Sequence, residues 1–297
     1  MRRDIAREGV AFRPAGGLLA TIRTARPFVH GADVVHVHMT ASEVAGVVAA
    51  LGSGAAVVTT RHFADGRGRT PLNRWVGRRA ADRIDAQIAV SAYAAHYVEG
   101  RSTVVHAGVR DRDELDPVAR QRVVLVAQRL EPEKRTDLAL DVFARSGLAR
   151  HGWSLVVAGD GSLRSALQRQ AARLGISAST RFLGHATDVQ GMMTSAGMLL
   201  APRPDEAYGL SVVEAMAAGL PVVASGGGGH LETVGAVAGA ALFPPADVAA
   251  AGDLLAGLAA DDARRADYGS ELRDDQRRRF TLAAQERATD AVYRSVR

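Results

Sequence analysis

The sequence of 297 residues contains no cysteine. Disulfide bonds, thiolate nucleophiles and cysteine-ligated zinc or iron–sulfur sites are therefore excluded. A chain without cysteine fits the reducing environment of the cytoplasm, where we expect this protein to reside. Its hydrophobic content of 47% is enough to fill two cores at this length.

Long apolar runs are also missing. The most hydrophobic stretch, residues 44–60, is interrupted by glycine, serine and alanine and falls short of a membrane span. The N-terminal MRRDIAREGV has no apolar core followed by a cleavage site, so it does not predict a secretory signal. We expect a cytoplasmic protein that at most touches the inner face of the membrane.

Lysine is nearly absent, because Lys134 is the one lysine among 37 basic residues. The 37 basic and 32 acidic residues are mixed along the chain and give a net charge of +5. That excess is too small and too dispersed to predict nucleic acid as a partner. Since arginine serves at every other basic position, the single ammonium group makes Lys134 a candidate functional residue.

Two common nucleotide-binding motifs are absent. No G-x-G-x-x-G opens a helix after the first predicted strand, and there is no G-x-x-x-x-G-K-[ST] phosphate loop. Hydride transfer and ATP hydrolysis by those routes lose support. Aspartates do not cluster at metal-ligand spacing either, so we expect no metal ion and no other cofactor.

Short valine-rich runs alternate with segments of helical length, as in a parallel α/β sheet. The predicted strands cover residues 33–38, 55–60, 85–90, 103–106, 122–127, 154–158, 181–183, 198–201 and 221–224. Residues 136–146 and 162–174 are predicted helices between them.

The polar stretch at residues 110–120 has no apolar periodicity and predicts a hinge. We therefore expect a first domain at residues 1–112 and a second at residues 113–275. A charged helical segment at residues 276–297 would pack back on the first domain.

The most informative stretch is APRPDEAYGLSVVEAMAAGLPVVASGGGG, which begins as a predicted strand ends. Gly209 opens a new helix there, and the N–H groups of Gly209, Leu210 and Ser211 form an anion site suited to a diphosphate. Glu206 and Glu214 flank this site, although carboxylates near phosphate are unfavourable unless they bind hydroxyl groups. The pattern predicts a ligand with both phosphate and polyol, such as a nucleotide sugar.

Two further loops follow predicted strands. In QRLEPEKRT, Arg129 and Lys134 lie at a strand's carboxyl end, where two cations can neutralise a leaving diphosphate. The alternative is that they are ordinary surface charges. Gly159 and Gly161 flank Asp160 in a turn that either allows close ligand approach or is purely structural.

Residues 122–235 resemble the C-terminal domain of the large retaining GT-B glycosyltransferase family marked by an E-x7-E signature, the family 4-like group 1. The match runs in order through VAQRLEPEKRTDLAL, LVVAGDGSL, RFLGH, LLAPRPDEAYGLSVVEAMAAGLPVVAS and GGHLETV. The resemblance implies an α/β fold of GT-B type, with two Rossmann-like, doubly wound parallel-sheet domains facing a cleft.

The same resemblance implies roles for individual residues. Arg129 and Lys134 would hold the donor diphosphate, Glu206 would contact the transferred sugar, and Glu214 would bind the ribose hydroxyls. The region around residues 182–185 would border the base. The other donor-binding residues that the resemblance implies are Gly159, Gly161, Phe182, Leu183, His185, Tyr208, Gly209, Leu210 and Ser211.

The first half resembles the acceptor domain of the family through DVVHVH, VVTTRH, DRIDAQIAVS and STVVHAGVR. His62 matches a position where many members place a histidine that faces the sugar and acceptor; otherwise it is a structural histidine. Members begin with a strand, a glycine-rich loop and a helix facing the donor phosphates. Only Gly16 and Gly17 offer a counterpart, so we expect an incomplete N-terminal domain.

These features predict a glycosyltransferase that moves a sugar from a nucleoside diphosphate donor to an acceptor hydroxyl with retention of configuration. The acceptor is a sugar, a lipid-linked sugar or a small molecule. Two alternatives stay open: a non-catalytic or degenerate nucleotide-sugar-binding protein, and a GT-B isomerase of nucleotide sugars.

A weak contact with a membrane surface is a further hypothesis. Residues 61–83 predict an amphipathic helix in which Leu72, Trp75 and Val76 lie among arginines. The alternative is a helix whose apolar side faces the core and whose basic side is solvated.

Overall fold

A computed structural model of the chain describes residues 10–67, 70–111 and 120–297. They divide into two α/β units, each with its own parallel sheet. The first unit comprises the chain up to Val90, together with Ala94–Val105 and Ala288–Arg297; the second comprises Ser91–Tyr93 and His106–Arg287. The expected boundary after residue 112 lies outside the described residues, as does most of the expected hinge.

The first unit has a four-stranded sheet in the order β1-β2-β3-β4, which is also the chain order. Its elements are α1 (Leu18–Val29), β1 (Val34–His38), α2 (Thr40–Ala50), β2 (Ala56–Arg61), α3 (Pro71–Ala81), β3 (Ala86–Ala89), the short α4 (Ala92–Ala95) and β4 (Thr103–Val104). The register pairs Val34 with Ala56 and Val58 with Ala86. Each strand joins the next in parallel, as the crossover helices require.

Both faces of this sheet are covered. Val57 packs with Val37 and Val47 in one buried cluster, whereas its neighbour Val58 packs with Val292 in another. The alternation of adjacent side chains along β2 explains why neighbouring valines join opposite clusters. Val292 belongs to the last helix, so the chain's C-terminal residues complete the core of the first unit.

The second unit has a six-stranded parallel sheet in the order β10-β9-β8-β5-β6-β7. Its elements are β5 (Val123–Ala127), α5 (Thr136–Ser146), β6 (Ser154–Ala158), α6 (Arg164–Arg173), β7 (Thr180–Gly184), α7 (Val189–Ser195), β8 (Met198–Ala201), α8 (Leu210–Ala217), β9 (Val222–Ser225), β10 (Leu242–Phe243), α9 (Val248–Ala260) and α10 (Asp262–Arg279). The last helix, α11 (Leu282–Ser295), begins in this unit and continues into the first unit from Ala288 onward. The expected start of the C-terminal segment, residue 276, lies inside α10.

The strand order of this second sheet reverses between β5 and β8. The chain first builds outward from β5 through β6 to β7, and then returns to place β8 on the other side of β5. Loops that leave the carboxyl ends of β5 and β8 therefore diverge and leave a crevice, where open α/β sheets bind ligands. These are the two loops that carry Lys134 and Glu206.

The predicted strands all form, with ends that differ by one or two residues. β10 was not anticipated, because two residues before a pair of prolines give no periodic signal. No helix in the described part of the chain has the length and hydrophobicity needed to span a bilayer.

Two glycines bring the turn after β6 against the loop after β5. A Cβ on Gly159 would lie 1.8 Å from the carbonyl oxygen of Gln128, and one on Gly161 would lie 2.5 Å from that of Leu130. The Gly159 N–H also donates to the Gly184 carbonyl at 2.9 Å. The close approach of the two backbones thus explains why positions 159 and 161 require glycine.

We expect Gly159→Ala to lower the free energy of unfolding by about 1–3 kcal/mol, because the two loops must move apart to admit a methyl group. Urea denaturation measures the change. Gly257→Ala is the matched control: a Cβ there meets nothing within 4 Å, and the residue lies inside α9. That control should gain roughly 0.5–1 kcal/mol. An unchanged midpoint for Gly159→Ala would contradict the steric argument.

Candidate functional site

A cavity of about 260 Å³ lies at the reversal point of the second sheet. Its walls come from the ends of β5 and β8, the loops that follow them, the start of α8 and the glycine-rich segment after β9. The lining residues are Ala127, Gln128, Arg129, Lys134, Ala201, Arg203, Glu206, Gly209, Leu210, Ser211 and His230. The cavity thus contains six of the residues predicted from the sequence to bind a donor.

The loop after β5 holds Lys134 in place through its backbone. Lys134 ends a short 3-10 helix, Pro132–Lys134, and its carbonyl accepts a hydrogen bond of 2.8 Å from Gln128 Nε2. The same amide group donates to Thr136 Oγ1 at 2.9 Å. The side chain of Gln128, the residue directly after β5, thus hydrogen-bonds the turn on both sides of residue 135. These bonds hold the backbone from which the Lys134 side chain extends.

Lys134 and Glu206 form the central ion pair of the cavity. Nζ lies 2.6 Å from Oε2, and each side chain is 17% exposed. Burial by itself would raise the pKa of Glu206, but the Lys134 ammonium and the more distant Arg203 hold that pKa below its ordinary value. Glu206 is therefore a carboxylate near neutral pH, and its charge is balanced within the protein.

The N-terminus of α8 forms another wall. Gly209 has a φ of +86°, a left-handed conformation that favours glycine, and precedes the first helical residue. The N–H groups of Val212 and Val213 both donate to its carbonyl, so the helical hydrogen bonds begin only there. The earlier N–H groups, those of Leu210 and Ser211, lie at the positive end of the helix beside the cavity.

Arg203 and His230 are titratable residues of the lining that had no role in the sequence-based predictions. Arg203 lies 3.0 Å from Asp205 and 3.9 Å from Glu206. His230 is 1% exposed, and its ring bonds the Ser225 carbonyl through Nδ1 at 3.1 Å. Burial lowers the pKa of His230, even though the Ser225 carbonyl and Glu206 act in the opposite direction. Both residues follow the carboxyl ends of strands, Arg203 after β8 and His230 after β9, and that position in the sequence could have identified them as candidate ligand-binding residues.

The remaining predicted donor residues of this unit lie outside the cavity lining. Phe182 and Leu183 are on β7, and His185 follows that strand. Glu214 is on α8, where Gln190 Nε2 donates to its Oε1 at 3.2 Å. Because none of these residues lines the cavity, their contacts with the base and the ribose stay predictions.

Tyr208 is held as part of the protein interior. It is 5% exposed, and its hydroxyl donates to the Ala107 carbonyl at 2.7 Å. Its ring stacks on His106 with centroids 5.7 Å apart and meets Phe280 edge-on. Burial raises the pKa of Tyr208 above its usual range. These contacts give the tyrosine a packing role next to the start of α8.

His62 belongs to the first unit, where it joins a row of histidines at the ends of β1 and β2. His62 Nε2 lies 2.9 Å from His38 Nδ1, and the ring of His38 stacks on that of His36. His36 also bonds Tyr293 and Thr60. Burial, followed by the charges of His38 and His62, lowers the pKa of His36 to about 4. Burial also lowers the pKa of His62, so the row is neutral near pH 7.

Chemically, the cavity offers three kinds of recognition side by side. Cations and helix N–H groups suit phosphate oxygens, and a carboxylate suits hydroxyl groups. Alanine and Leu210 are the apolar residues of the lining, and the imidazole of His230 is its aromatic ring. The arrangement is therefore suited to a polar anion that also carries hydroxyl groups.

Family models cover nearly the whole sequence in tandem. The model described as Glycosyl transferases group 1 matches residues 110–275, more than half of the chain. The model described as Glycosyltransferase Family 4 matches residues 2–113.

Curated relatives share part of their length with this chain. The lipopolysaccharide core biosynthesis mannosyltransferase LpsB of Rhizobium meliloti (strain 1021) is 28% identical over 235 residues, which cover 72% of this chain and 66% of LpsB. The D-inositol 3-phosphate glycosyltransferase of Mycobacterium bovis (strain BCG / Pasteur 1173P2) is 34% identical over 236 residues, which cover 66% of this chain and 48% of that protein. The chain thus spans less than two thirds of the length of these relatives.

Among solved structures, Anabaena Alr3699/HepE in complex with UDP matches with a TM-score of 0.83 and 19% identity. The match covers 98% of this chain and 88% of that one. The same Anabaena protein has also been solved with UDP-glucose. At this identity the likeness establishes the fold, and the predicted α/β fold of GT-B type is confirmed.

Replacing Lys134 by methionine should remove the nearest counter-charge of Glu206, a mostly buried carboxylate that would keep only the more distant Arg203, at 3.9 Å. We expect a loss of about 1–3 kcal/mol in the free energy of unfolding near pH 7, below the full cost of a deeply buried pair because both side chains keep some solvent contact. The pKa of Glu206 is lowered in the folded protein, so this stabilisation is present above its unfolded pKa and is lost as pH falls through its folded pKa.

Urea denaturation near pH 7 and near pH 4 measures the effect, which should shrink at the lower pH. Arg129→Met is the control, because that arginine pairs with Glu133 at 2.9 Å while its side chain is 64% exposed. It should cost no more than about 0.5 kcal/mol. Equal losses in the two variants would show that burial of the Lys134 pair has no special weight.

Proposed function

Because the chain belongs to the glycosyl transferases group 1 family, we propose that it transfers a sugar from a nucleoside diphosphate sugar to an acceptor hydroxyl, with retention of configuration. The observation that carries this proposal is the cavity at the sheet reversal. There the Lys134–Glu206 pair lies beside the N-terminus of α8. The lysine and the helix terminus suit a diphosphate, and the carboxylate suits the hydroxyl groups of a sugar.

The cations of the cavity take the diphosphate. Arg129 and Lys134, with the N–H groups of Leu210 and Ser211, stabilise the negative charge that develops as the sugar leaves. These groups supply the counter-charge, so the reaction needs no metal ion and no further cofactor. The complexes of Anabaena HepE with UDP and UDP-glucose support a donor of this class.

Glu206 changes partners when the donor binds. In the structure its charge is balanced by Lys134, whose Nζ lies 2.6 Å from Oε2. Once the diphosphate draws the ammonium group toward phosphate oxygens, the carboxylate accepts hydroxyl groups of the transferred sugar. Glu214 on α8 binds the ribose hydroxyls in the same proposal, and residues 182–185 border the base.

The acceptor side is assigned to the first unit, with His62 as the residue that meets the reacting sugar and acceptor. A neutral imidazole hydrogen-bonded to His38 has a fixed ring direction and retains one nitrogen for a hydroxyl group. The donor phosphate itself removes the proton of the acceptor hydroxyl. Retention follows because the nucleophile enters on the face that the leaving group vacates.

The donor proposal is tested by thermal-shift titration with UDP, GDP, TDP and ADP, followed by the sugar conjugates of whichever nucleotide binds. A ligand at a hundred times its dissociation constant stabilises the folded state by about 2.7 kcal/mol. We expect one nucleotide to shift the wild type, and Glu214→Ala to abolish most of that shift by removing the ribose contact.

The same titration separates the alternatives. A sugar nucleotide that binds but is not turned over with any acceptor would favour a binding protein, and a changed sugar without acceptor would favour an isomerase. If none of the nucleotides shifts the melting temperature, the donor site proposed here does not exist. Glu271→Ala, which removes an exposed carboxylate that does not line the cavity, is the control and should bind as the wild type does.

We also propose that the protein works in the cytoplasm at the inner face of a membrane, on a lipid-linked acceptor. The relevant feature is α3. Leu72 and Trp75 on this helix are 68% and 59% exposed, whereas Gly77 and Ala80 are buried. The large apolar side chains thus face away from the core. Exposed arginines flank them on the same helix, at positions 74, 78 and 79, a combination suited to anionic lipid.

Vesicle flotation tests this contact. Wild-type protein should float with phosphatidylglycerol vesicles and remain unbound with phosphatidylcholine alone. The double substitution Leu72→Ser and Trp75→Ser should reduce binding about tenfold or more, since each buried side chain contributes about 1.5–3 kcal/mol. Leu174→Ser removes an exposed leucine from the other unit and should leave binding unchanged. Wild-type protein that never floats would remove the membrane proposal and leave the donor proposal intact.

A further inference from the structure

His230 is a titratable side chain inside the proposed donor cavity. Only 1% of it is exposed, and it lines the cavity with Lys134, Glu206 and Gly209. The Ser225 carbonyl accepts a hydrogen bond of 3.1 Å from Nδ1, so the ring proton is on Nδ1. In the neutral ring the lone pair is then on Nε2, which has no hydrogen-bond partner within the described part of the chain.

Nε2 is also the ring nitrogen beside the start of α8. A Cβ built on Gly209 would lie 3.3 Å from Nε2 and 3.1 Å from the adjacent Cδ2. Gly209 precedes the helix N–H groups that are suited to a phosphate oxygen. A phosphate held at this helix terminus therefore comes within reach of Nε2, and glycine at 209 leaves room for the imidazole.

The charges around the cavity balance when His230 is neutral. Each lining cation has a carboxylate within hydrogen-bond distance: Arg129 with Glu133 at 2.9 Å, Lys134 with Glu206 at 2.6 Å, and Arg203 with Asp205 at 3.0 Å. A dianionic diphosphate would thus enter a site whose fixed charges already cancel. One proton on His230 changes that balance in favour of the ligand.

The surroundings of His230 are poised for such a change. Burial lowers the pKa of His230, and Lys134 and Arg203 act in the same direction, whereas the Ser225 carbonyl and Glu206 favour the protonated ring. A diphosphate adds negative charge and an acceptor beside Nε2, and it draws Lys134 away from Glu206. Each of these changes favours the imidazolium.

We propose that His230 takes up a proton when a nucleoside diphosphate sugar binds, and that its Nε2–H then donates to a phosphate oxygen of the donor. The inference rests on the proposed donor site. It adds a third type of cation to that site and makes donor affinity depend on pH. Because linkage is reciprocal, the protonated enzyme binds the donor more tightly than the neutral enzyme does.

The direction of the pH dependence follows from the sign of the linkage. Binding raises the pKa of His230, so affinity increases as pH falls between its pKa in the complex and its lower pKa in the empty site. With one proton taken up per donor, the change approaches about tenfold per pH unit. The diphosphate diester of a sugar nucleotide does not titrate in this range, so the ligand does not contribute.

Isothermal titration calorimetry of wild-type protein tests the proposal, with UDP-, GDP-, TDP- and ADP-glucose as probes. Titrations near pH 7 in PIPES, HEPES and Tris, which differ in ionisation enthalpy, give the number of protons taken up. We expect a positive uptake that approaches one proton, together with tighter binding near pH 6 than near pH 8. A wild type that binds a donor with no proton uptake and equal affinity across that range overturns the proposal.

His230→Asn attributes the proton to this side chain. The asparagine amide stands where Nδ1 stood and can still donate to the Ser225 carbonyl, but it does not titrate. We expect the variant to bind without proton uptake and with a flat pH profile, whereas His151→Asn, an exposed histidine of the same unit, should behave as wild type. Uptake that persists in His230→Asn would assign the proton to another group and overturn the proposal.

Failure of the proposed function gives a different result. One such result is that no sugar nucleotide gives heat on titration into the wild type and none shifts its melting temperature. The cavity is then not a donor site, and the proposed role of His230 fails with it. Binding without proton uptake leaves the donor site standing and removes only the role of His230.

Discussion

The second unit is organised around one ion pair, between Lys134 and Glu206. The two residues are 72 positions apart in the chain, and they meet because the sheet reverses its strand order between β5 and β8. Each charge offsets the desolvation of the other inside the cavity. The charges of the two side chains are therefore paired within the protein. A ligand that separates them has to offer an anion to Lys134 and hydrogen-bond donors to Glu206.

The backbone around the pair keeps that geometry rigid. Gln128 ties the carbonyl of Lys134, and Gly159 and Gly161 let the β6 turn press against the same loop. On the other side, the left-handed Gly209 starts α8 beside Glu206. Because Gly159 and Gly161 lie against main-chain carbonyl groups, neither position has room for a Cβ. Preorganised charges of this type act without reorganisation when a reaction builds up negative charge.

The sequence predicts the architecture well because buried parallel strands are short apolar runs, and because a glycine, Gly147, marks the end of helix Thr136–Ser146. It also predicts which strand ends carry Lys134 and Glu206. It does not predict their direct contact, which needs the strand order. Tyr208 becomes an interior residue through its hydroxyl bond to Ala107, and His230 becomes a cavity residue through Ser225. Both depend on backbone positions that no local pattern encodes.

In the proposed donor site, the chemistry of the ammonium group gives a reason for lysine at position 134, in a chain whose other basic residues are arginines. A guanidinium group would grip Glu206 with two parallel hydrogen bonds and hold the carboxylate in a fixed fork. The compact ammonium group contacts one carboxylate oxygen, at 2.6 Å, and has two further N–H groups with which to reach a phosphate. Lysine can thus pass from one anion to the other without first breaking a bidentate contact. The partner exchange proposed for Glu206 requires an ion pair with one short contact, which a phosphate oxygen can replace.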